Sequence, residues 1–241
     1  MAKLVHKITE KGPCPYLPDR GADTDTRILK AVSPRELESR LIHGWRHFGP
    51  VFFKPVCRTC RECVSIRVPT ATFTPSKSQK RALKRAASLR VVIGTPRVDN
   101  ARLELYSRWH AMREDSVGWR PSPVGQEDYI VQFAYPSSTN REVAIYDGDK
   151  LVSVCIADQT PHAWSLVYQF YEPDMHGQSL GVVNILVQIN HAKRLGIPYA
   201  YLGFYVAGCR SMEYKTHFAP FELLTGRPAL TSKPVWKKVT R

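Results

Sequence analysis

The spacing of apolar residues along the chain predicts four helices. They cover residues 33–44, 76–89, 101–112 and 179–195. The first two open with capping boxes, Ser33-x-x-Glu36 and Ser76-x-x-Gln79, in which the two side chains satisfy free backbone N–H groups. In the fourth, apolar residues recur every three or four positions, as on the buried face of a helix.

Short apolar runs between turn residues predict strands at 51–53, 143–146, 151–157, 165–171 and 199–205. Two of them flank Asp147-Gly148, a strong hairpin signal. Hairpin, strand, helix and strand then follow one another. This order predicts an α/β (α+β) fold with a GNAT-like acyltransferase core. The polar stretch around Gly94 and Pro96 suggests a boundary. We therefore expect an N-terminal region with the cysteines and a basic helix (1–95) and a GNAT-like transfer domain (96–241).

The charge of the chain favours a polyanionic partner, although solubility alone is the simpler explanation. Its 35 Lys and Arg residues outnumber 21 Asp and Glu residues, which leaves a net charge of +14. Phosphate contacts release condensed counterions, but charge cannot distinguish RNA from DNA. No apolar run approaches the roughly 20 residues of a membrane helix. The N-terminus lacks the apolar stretch of a signal peptide, so we expect a cytoplasmic location and no membrane partner.

The cysteine pattern suggests a site for metal or an iron–sulfur cluster. Cys57, Cys60 and Cys63 are spaced C-x2-C-x2-C, and Cys14 lies far upstream. Thiolates two residues apart can converge on one ion or cluster, and the distant Cys14 would complete a tetrahedral set. In a reducing compartment a disulfide is disfavoured. Three interpretations stay open: an iron–sulfur cluster, zinc, or a triplet of three reduced thiols without a ligand.

The second predicted helix is basic and contains no acidic residue. Its candidate phosphate-contacting residues are Lys77, Lys80, Arg81, Lys84 and Arg85. A solvated helix face usually mixes in Asp and Glu. Their absence favours a surface that contacts nucleic-acid phosphates, with a solvated face as the alternative.

Candidate residues for acyl transfer lie in the second half of the chain. Ser179 and Gly181 belong to a partial glycine motif where a strand gives way to a helix, and free amides there could hold phosphate. The alternative is a helix start capped by Ser179. Asp158 follows an apolar strand and either faces a cleft or caps a turn. Tyr168 and Tyr201 recur in later strands, either as core residues or as hydroxyl groups bordering a cleft.

Blocks of residues distributed over nearly the whole chain resemble one family. They are Cys14-Pro15-Tyr16-Leu17-Pro18, Gly44-Trp45-Arg46, Cys57-x-x-Cys60-x-x-Cys63, Pro75-Ser76-x-Ser78-Gln79-x-Arg81, Tyr168-x-Phe170-Tyr171-Glu172-Pro173-Asp174, Ser179-Leu180-Gly181 and Gly208-Cys209-Arg210-x-Met212-x-Tyr214-Lys215. In this order they resemble the bacterial leucyl-tRNA–protein transferases, a branch of the arginyl-tRNA–protein transferase family.

The resemblance implies transfer of leucine from leucyl-tRNA to proteins with N-terminal Asp or Glu, which marks them for degradation. It implies no DNA partner, and no cofactor for the chemistry because an aminoacyl ester is already activated. Asp158 would orient or deprotonate the acceptor amine, and Tyr168 or Tyr201 would donate a hydrogen bond to the oxyanion or ribose. Arg210 and Lys215 would bind the acidic acceptor side chain. The four cysteines match the family's proposed cluster positions.

Three alternatives remain for the function. Arginyl transfer would use the same chemistry. An acyl-CoA-dependent GNAT N-acetyltransferase would explain the fold and the partial glycine motif, but not the basic helix. A metal-stabilised RNA-binding module without catalysis would explain the charge and the cysteines, but not the α/β half.

Overall fold

The computed structural model describes residues 2–118, 121 and 124–240 and shows a mixed α/β fold. Its α-helices are α1 (Pro34–Ile42), α2 (Lys77–Arg85), α3 (Asn100–Val117), α4 (Gln126–Phe133), α5 (Leu180–Arg194) and the short α6 (Arg210–Glu213). Its strands are β1 (Lys3–Pro13), β2 (Gly21–Lys30), β3 (Arg46–Phe48), β4 (Val51–Pro55), β5 (Val64–Pro69), β6 (Arg90–Gly94), β7 (Asn140–Asp147), β8 (Lys150–Gln159), β9 (Ala163–Tyr171), β10 (Tyr199–Tyr205), β11 (Phe221–Leu224) and β12 (Trp236–Val239).

A four-stranded antiparallel sheet forms the N-terminal part, in the order β1-β2-β4-β3. Helix α1 begins with the predicted capping box of Ser33 and Glu36. Leu37 and Leu41 are both buried and pack with Phe52 of β4 and Tyr201 of β10. The prediction of α1 and of the strand at 51–53 is confirmed, whereas the β1–β2 hairpin was not predicted.

An eight-stranded sheet forms the rest of the fold, in the order β12-β11-β5-β10-β9-β8-β7-β6. The predicted hairpin at Asp147-Gly148 joins β7 and β8. Strand β5, from the cysteine-bearing region, lies between β10 and β11. Strands from both sides of residue 95 therefore share one sheet, and the division of the chain at that residue stays a prediction.

Helices cover both faces of the large sheet. On one face, α5 packs Ile185, Leu186 and Ile189 against the sheet, and α2 lies beside it. On the other, α3 packs Leu105 and Tyr106 against β8 and β9. None of the helices in the described part of the chain is long and apolar enough to cross a bilayer.

The strands β9 and β10 separate along their length. They pair in parallel at only three register positions, and the last joins Ser165 to Tyr201. Both strands continue beyond this point, β9 to Tyr171 and β10 to Tyr205. The register of β10 against β5 also shifts between Tyr201 and Phe204. Beyond Ser165 and Tyr201, the two strands make no further ladder with each other.

Candidate active site

The three residues of β3 contact all three strands around this separation. Gly44, with φ +86°, turns the chain from α1 into β3. Arg46 donates from Nη2 to the Gly203 carbonyl of β10 over 3.2 Å. His47 bonds Asp158 of β8, and the ring of Phe48 meets Tyr168 of β9 at 5.9 Å between centroids. Strand β3 thus places three side chains at the separation of β9 and β10.

Asp158 is an internal strand residue, so the alternative reading as a turn cap is wrong. Asp158 lies in β8 and pairs with Asn140 of β7 and with Ser165 of β9. Only 1% of its surface is exposed. Its Oδ1 accepts from the Thr139 hydroxyl at 3.1 Å. Its Oδ2 accepts from His47 Nε2 at 2.7 Å.

His47 forms the charged partner of Asp158. Its Nδ1 lies 2.9 Å from the Gly49 carbonyl oxygen, which can only accept, so both ring nitrogens donate. Burial lowers the pKa of His47, but the Asp158 charge and both hydrogen bonds outweigh burial, and the pKa is raised. The ring is therefore an imidazolium held against a buried carboxylate.

Tyr201 lies in the same row of the sheet as Asp158. Asp158 pairs with Ser165, and Ser165 pairs with Tyr201, so the three side chains share one face. Tyr201 is buried, and its hydroxyl accepts from Arg67 Nη1 at 3.1 Å. Arg67 in turn forms an ion pair with Glu222 at 2.6 Å. The hydroxyl of Tyr201 is thus engaged by Arg67.

Tyr168 belongs to an aromatic cluster on this face. Its ring lies 5.1 Å from that of Phe133, and its hydroxyl lies 2.8 Å from His110 Nε2. Burial raises the pKa of Tyr168. The phenol therefore keeps its proton at neutral pH and can donate a hydrogen bond.

Two buried cations lie next to β10, where its register against β5 shifts. Arg46 is 6% exposed and Lys215 is 8% exposed. Lys215 Nζ donates to the Phe204 carbonyl at 2.6 Å. No carboxylate of a described residue forms an ion pair with either cation. Arg46 Nε has no hydrogen-bond partner in the described part of the chain.

Burial lowers the pKa of both groups. The pKa of Arg46 falls to about 10. That of Lys215 falls to about 7, by burial first and by the charge of Arg46 second. The two groups are therefore close enough to repel each other. Arg210, the other predicted acceptor residue, is exposed in α6.

The basic helix α2 joins the N-terminus of α5. Its predicted tRNA residues are all exposed: Lys77, Lys80, Arg81, Lys84 and Arg85. Arg85 donates to the Gly177 carbonyl at 2.9 Å and to the Ser179 hydroxyl at 3.2 Å. The alternative reading of Ser179 as a helix cap is wrong, because Ser179 has φ +54° and its side chain makes no cap bond. At Gly181, an added Cβ would lie 3.0 Å from the Tyr171 ring.

The predicted site residues therefore form two groups. Asp158 pairs with Ser165, so it lies beside the start of β9. Helix α5 begins after the other end of that strand. Ser165 and Tyr171 are six residues apart, or about 20 Å along a strand. Ser179 and Gly181 therefore lie near the opposite end of the strand from Asp158, with Tyr168 between them.

A cavity of about 240 Å³ opens beside Asp158 and His47. It lies between the N-terminal sheet, the end of β8 and the segment 135–140. Most of its wall is apolar, with Asp158 as a carboxylate among the lining residues. Val167, next to Tyr168 on β9, is part of that wall, so the cavity borders the strand separation.

The four predicted cysteine ligands are free thiols on neighbouring turns. Three of the sulfurs accept hydrogen bonds: Cys14 from the Leu17 amide, Cys57 from the Asp23 amide, and Cys60 from the Arg20 guanidinium. Burial first, and then the other three cysteines, raises the pKa of Cys63 to about 12. Such N–H donors suit thiolate ligands. In the described part of the chain, however, no three Cys, His, Asp or Glu side chains are grouped closely enough to hold a metal ion.

The family of the chain follows from two matches that together span most of its length. The family model "Arginine-tRNA-protein transferase, C terminus" matches residues 101–225, and its N-terminal counterpart matches residues 12–81. The chain belongs to the arginine-tRNA-protein transferase family. The resemblance seen in the sequence is thereby confirmed.

Similar transferases match over nearly the full length. An aspartate/glutamate leucyltransferase of Campylobacter jejuni is 33% identical over 95% of this chain and 97% of its own. One of Helicobacter hepaticus is 33% identical over 98% of each chain. A third, of Pseudomonas aeruginosa, is 31% identical over 94% of this chain and 96% of its own.

A solved structure shares the fold of this transferase. It is the C-terminal domain (DUF2156) of a putative lysylphosphatidylglycerol synthetase from Agrobacterium fabrum, with a TM-score of 0.51 and 13% identity. The match covers 68% of this chain and 59% of that chain. At this identity the likeness concerns the fold alone.

Sequence reasoning about this transferase missed two residues of the site. Arg46 and His47 lie in a strand of only three residues, too short for an alternation pattern. The block Gly44-Trp45-Arg46 was the available signal for Arg46, because it places a turn glycine two residues before this cation. His47 offers no such signal, since its partner Asp158 lies 111 residues further along the chain.

Proposed function

We propose that the chain transfers leucine from leucyl-tRNA to the α-amine of proteins that begin with Asp or Glu. The observation that carries this proposal is the match to aspartate/glutamate leucyltransferases over nearly the whole length of both chains. Leucine at the new N-terminus then marks the acceptor for degradation. Leucyl-tRNA serves translation in the cytosol, so we place the enzyme there.

The reaction needs a core that holds an ester and excludes water. Strands that separate after a short parallel ladder support a GNAT-like acyltransferase core. The acceptor nitrogen attacks the ester carbonyl carbon, the carbonyl becomes an oxyanion, and the bond to the ribose oxygen breaks. The proton lost by the amine leaves with the ribose hydroxyl. No ATP is needed, because the ester is already activated.

Tyr168 and Tyr201 are the proposed hydrogen-bond donors to the oxyanion or ribose. Both lie on the sheet face next to the strand separation. The raised pKa of Tyr168 supports a donor role, because the phenol stays protonated. The hydroxyl of Tyr201 accepts from Arg67 and keeps its own proton for donation.

Asp158 is the carboxylate proposed to hold an amine. Two amines take part in the reaction: that of the acceptor and that of the leucyl group. The sequence favoured the acceptor amine. Asp158 is buried and paired with His47, and this arrangement supports a fixed anchor for an N–H donor.

The exposed basic face of α2 and the start of α5 are the proposed tRNA surface. Arg85 connects them, so a phosphate backbone could follow Lys77, Arg81 and Lys84 to Ser179 and Gly181. The first N–H groups of α5 lack a side-chain cap and can receive a terminal phosphate. These contacts supply affinity rather than sequence recognition.

The proposed acceptor site contains Lys215 together with Arg46, a residue that the sequence did not suggest. A carboxylate between these two buried cations would offset their mutual repulsion. Arg210 is exposed at the start of α6 and is proposed to contact the acceptor outside this pair.

Cys14, Cys57, Cys60 and Cys63 are the residues proposed to hold one iron–sulfur cluster or one zinc ion, for which the four thiols would have to move closer together than they lie in this structure. The donated N–H bonds support thiolate ligation. Arg227 donates to the carbonyls of Cys57 and Cys60 at 2.7 and 2.8 Å and fixes their loop. Such a group would tie the turn of Cys14 to that loop.

A transfer assay tests the function. The protein is incubated with tRNA charged with radiolabelled leucine, and with matched peptides that begin with Asp, Glu, Asn or Gln. Arginyl-tRNA and acetyl-CoA serve as parallel donors. We expect leucine on the Asp and Glu peptides only. Equal labelling of the Asn peptide would overturn the acidic acceptor site, and transfer from acetyl-CoA or arginyl-tRNA alone would overturn the proposed donor.

A further inference from the structure

The cavity beside Asp158 combines an aliphatic wall and a carboxylate with polar side chains from residues 137–140. Its apolar lining includes Leu29, Val32, Leu37, Phe52, Ile156 and Val167. Its lining residues include no lysine or arginine, and the imidazolium of His47, which also lines it, is already bound to Asp158. Such a space suits a ligand with an aliphatic body and one cationic hydrogen-bond donor.

Asp158 has unused capacity for such a donor. Each carboxylate oxygen accepts one hydrogen bond from the protein, Oδ1 from Thr139 and Oδ2 from His47. An ionised carboxylate offers about four acceptor positions. Both partners also fix the rotamer of Asp158, so an incoming ammonium group would find a preorganised acceptor.

The leucyl ester has both of these features, since it carries a primary α-ammonium group and an isobutyl side chain. We propose that the cavity receives the leucyl group of the donor, with its α-ammonium on Asp158 and its side chain on the wall of Leu37, Ile156 and Val167. This rests on the proposed function and assigns Asp158 to the donor amine rather than the acceptor amine.

The same wall explains a preference for leucine over arginine. A guanidinium placed against Leu37, Ile156 and Val167 would lose its water without gaining partners on that side of the cavity, which costs several kcal/mol for a charged group. The isobutyl group gains about 25 cal/mol for each Å² that leaves water. Val167 lies next to the point where β9 and β10 separate. The ester can therefore lie outside the cavity while the leucyl side chain lies inside it.

The ammonium contact is tested with a donor that lacks it. Leucyl-tRNA is compared with tRNA charged with 2-hydroxyisocaproate, which has the same side chain and a hydroxyl in place of the ammonium. Aminolysis of both esters by free hydroxylamine corrects for their different reactivity. We expect wild type to prefer leucine by about 30-fold or more in kcat/KM, as for a lost charged hydrogen bond. In Asp158→Asn the preference should fall to within a few-fold. Equal corrected use of both donors by wild type would overturn the contact.

The contact between the leucyl side chain and the cavity wall is tested with a larger side chain at Val167. Val167→Phe should raise the KM for leucyl-tRNA about tenfold and leave the KM of the acceptor peptide and the affinity for uncharged tRNA unchanged. The matched control is Val187→Phe on α5, outside the cavity. Val167→Ala should in turn increase the use of phenylalanyl-tRNA, which keeps the test open if the Phe variant does not fold. If both Val167 variants keep wild-type donor selectivity, the cavity is not the leucyl site. If wild type transfers no leucine, the proposed function itself fails.

Discussion

At the scale of single residues, the most consequential feature is the pair of buried cations Arg46 and Lys215. Buried charges are normally paired, because removal from water costs several kcal/mol. Neither has a carboxylate partner in the described part of the chain, and each bonds only neutral groups. A ligand carboxylate would supply the missing charge, which is why we propose that this pair recognises the acidic acceptor residue.

Binding of an acidic acceptor should take up a proton near neutral pH. The pKa of Lys215 is about 7, and a carboxylate beside it would raise that value. At pH 8, calorimetry in buffers of different ionisation enthalpy should show more proton uptake for an Asp-initiated peptide than for the matched Asn peptide. The affinity for the Asp peptide should fall as pH rises above 7, by up to about tenfold per unit.

The matched control for that measurement replaces an exposed lysine. Lys215→Met should abolish the excess proton uptake, whereas Lys233→Met should retain it, since Lys233 is exposed. Identical uptake for the Asp and Asn peptides with wild type would show that Lys215 does not meet the acceptor carboxylate.

The pair of His47 and Asp158 should stabilise the fold in a pH-dependent way. The pKa of His47 is raised above 6.5, so its contribution is fully present below pH 6.5 and lost as pH rises through the raised pKa. His47→Gln should lower the free energy of unfolding by about 3 kcal/mol at pH 6. Urea unfolding should show this difference shrinking towards pH 9.

An exposed histidine provides the comparison for that substitution. His162 pairs with Glu38 at the surface, where ion pairs contribute little. His162→Gln should therefore change stability by well under 1 kcal/mol. A cost for His47→Gln that grows with pH would contradict the ionic pairing with Asp158.

At the scale of elements, the contact between α2 and α5 turns two separate signals into one surface. The sequence predicted a basic helix and a phosphate-binding turn, but it gave no reason for them to meet. Arg85 makes the connection by bonding Gly177 and Ser179, 92 and 94 residues further along the chain. Local patterns thus predicted the elements, and only tertiary packing could place them side by side.

Removing the charge of α2 should weaken tRNA binding without slowing the chemistry. Gln at positions 81, 84 and 85 keeps helix propensity nearly constant. We expect a raised KM for leucyl-tRNA, little change in kcat at saturation, and a slope of log affinity against log salt that is shallower by somewhat under one unit per lost phosphate contact. Filter binding over a salt series measures that slope.

A second triple variant with the same charge change serves as the control. Lys233, Lys237 and Lys238 are exposed and lie on or near β12, outside α2. Changing these three to Gln should leave the salt slope close to that of wild type. An unchanged slope for the α2 variant would mean that the helix is only a solvated face.

At the scale of the whole molecule, the pattern of the second half predicted β7 to β10 and α5, but not α4, β11 or β12. The hairpin of β7 and β8, strands β9 and β10, and helix α5 all follow from apolar spacing and turn residues. The sequence did not predict that β5 enters the large sheet, because its pairing partners lie more than 100 residues away. Pairing over such distances depends on tertiary packing, which a local pattern does not encode.

The cysteines come from distant parts of the chain, and their proposed ligand can be measured directly. Protein purified without oxygen should contain stoichiometric iron and sulfide, or zinc, and Cys60→Ser should lose it. Cys155→Ser is the matched control, because Cys155 is buried in β8 away from the other thiols. Four freely titrating thiols in a fully active, metal-free protein would contradict the proposal.

The position of β5 has a consequence for how the chain matures during synthesis. Ile66 and Val68 of β5 are fully buried between strands that contain Tyr199 to Tyr205 and Phe221 to Leu224. At 5–20 residues per second, roughly 10 to 30 seconds pass between the synthesis of β5 and that of β11, the later of its two neighbours. During that interval its edges and apolar side chains are exposed to other chains. The nascent first half should therefore depend on chaperone protection, and no fragment ending before β11 should fold into this sheet.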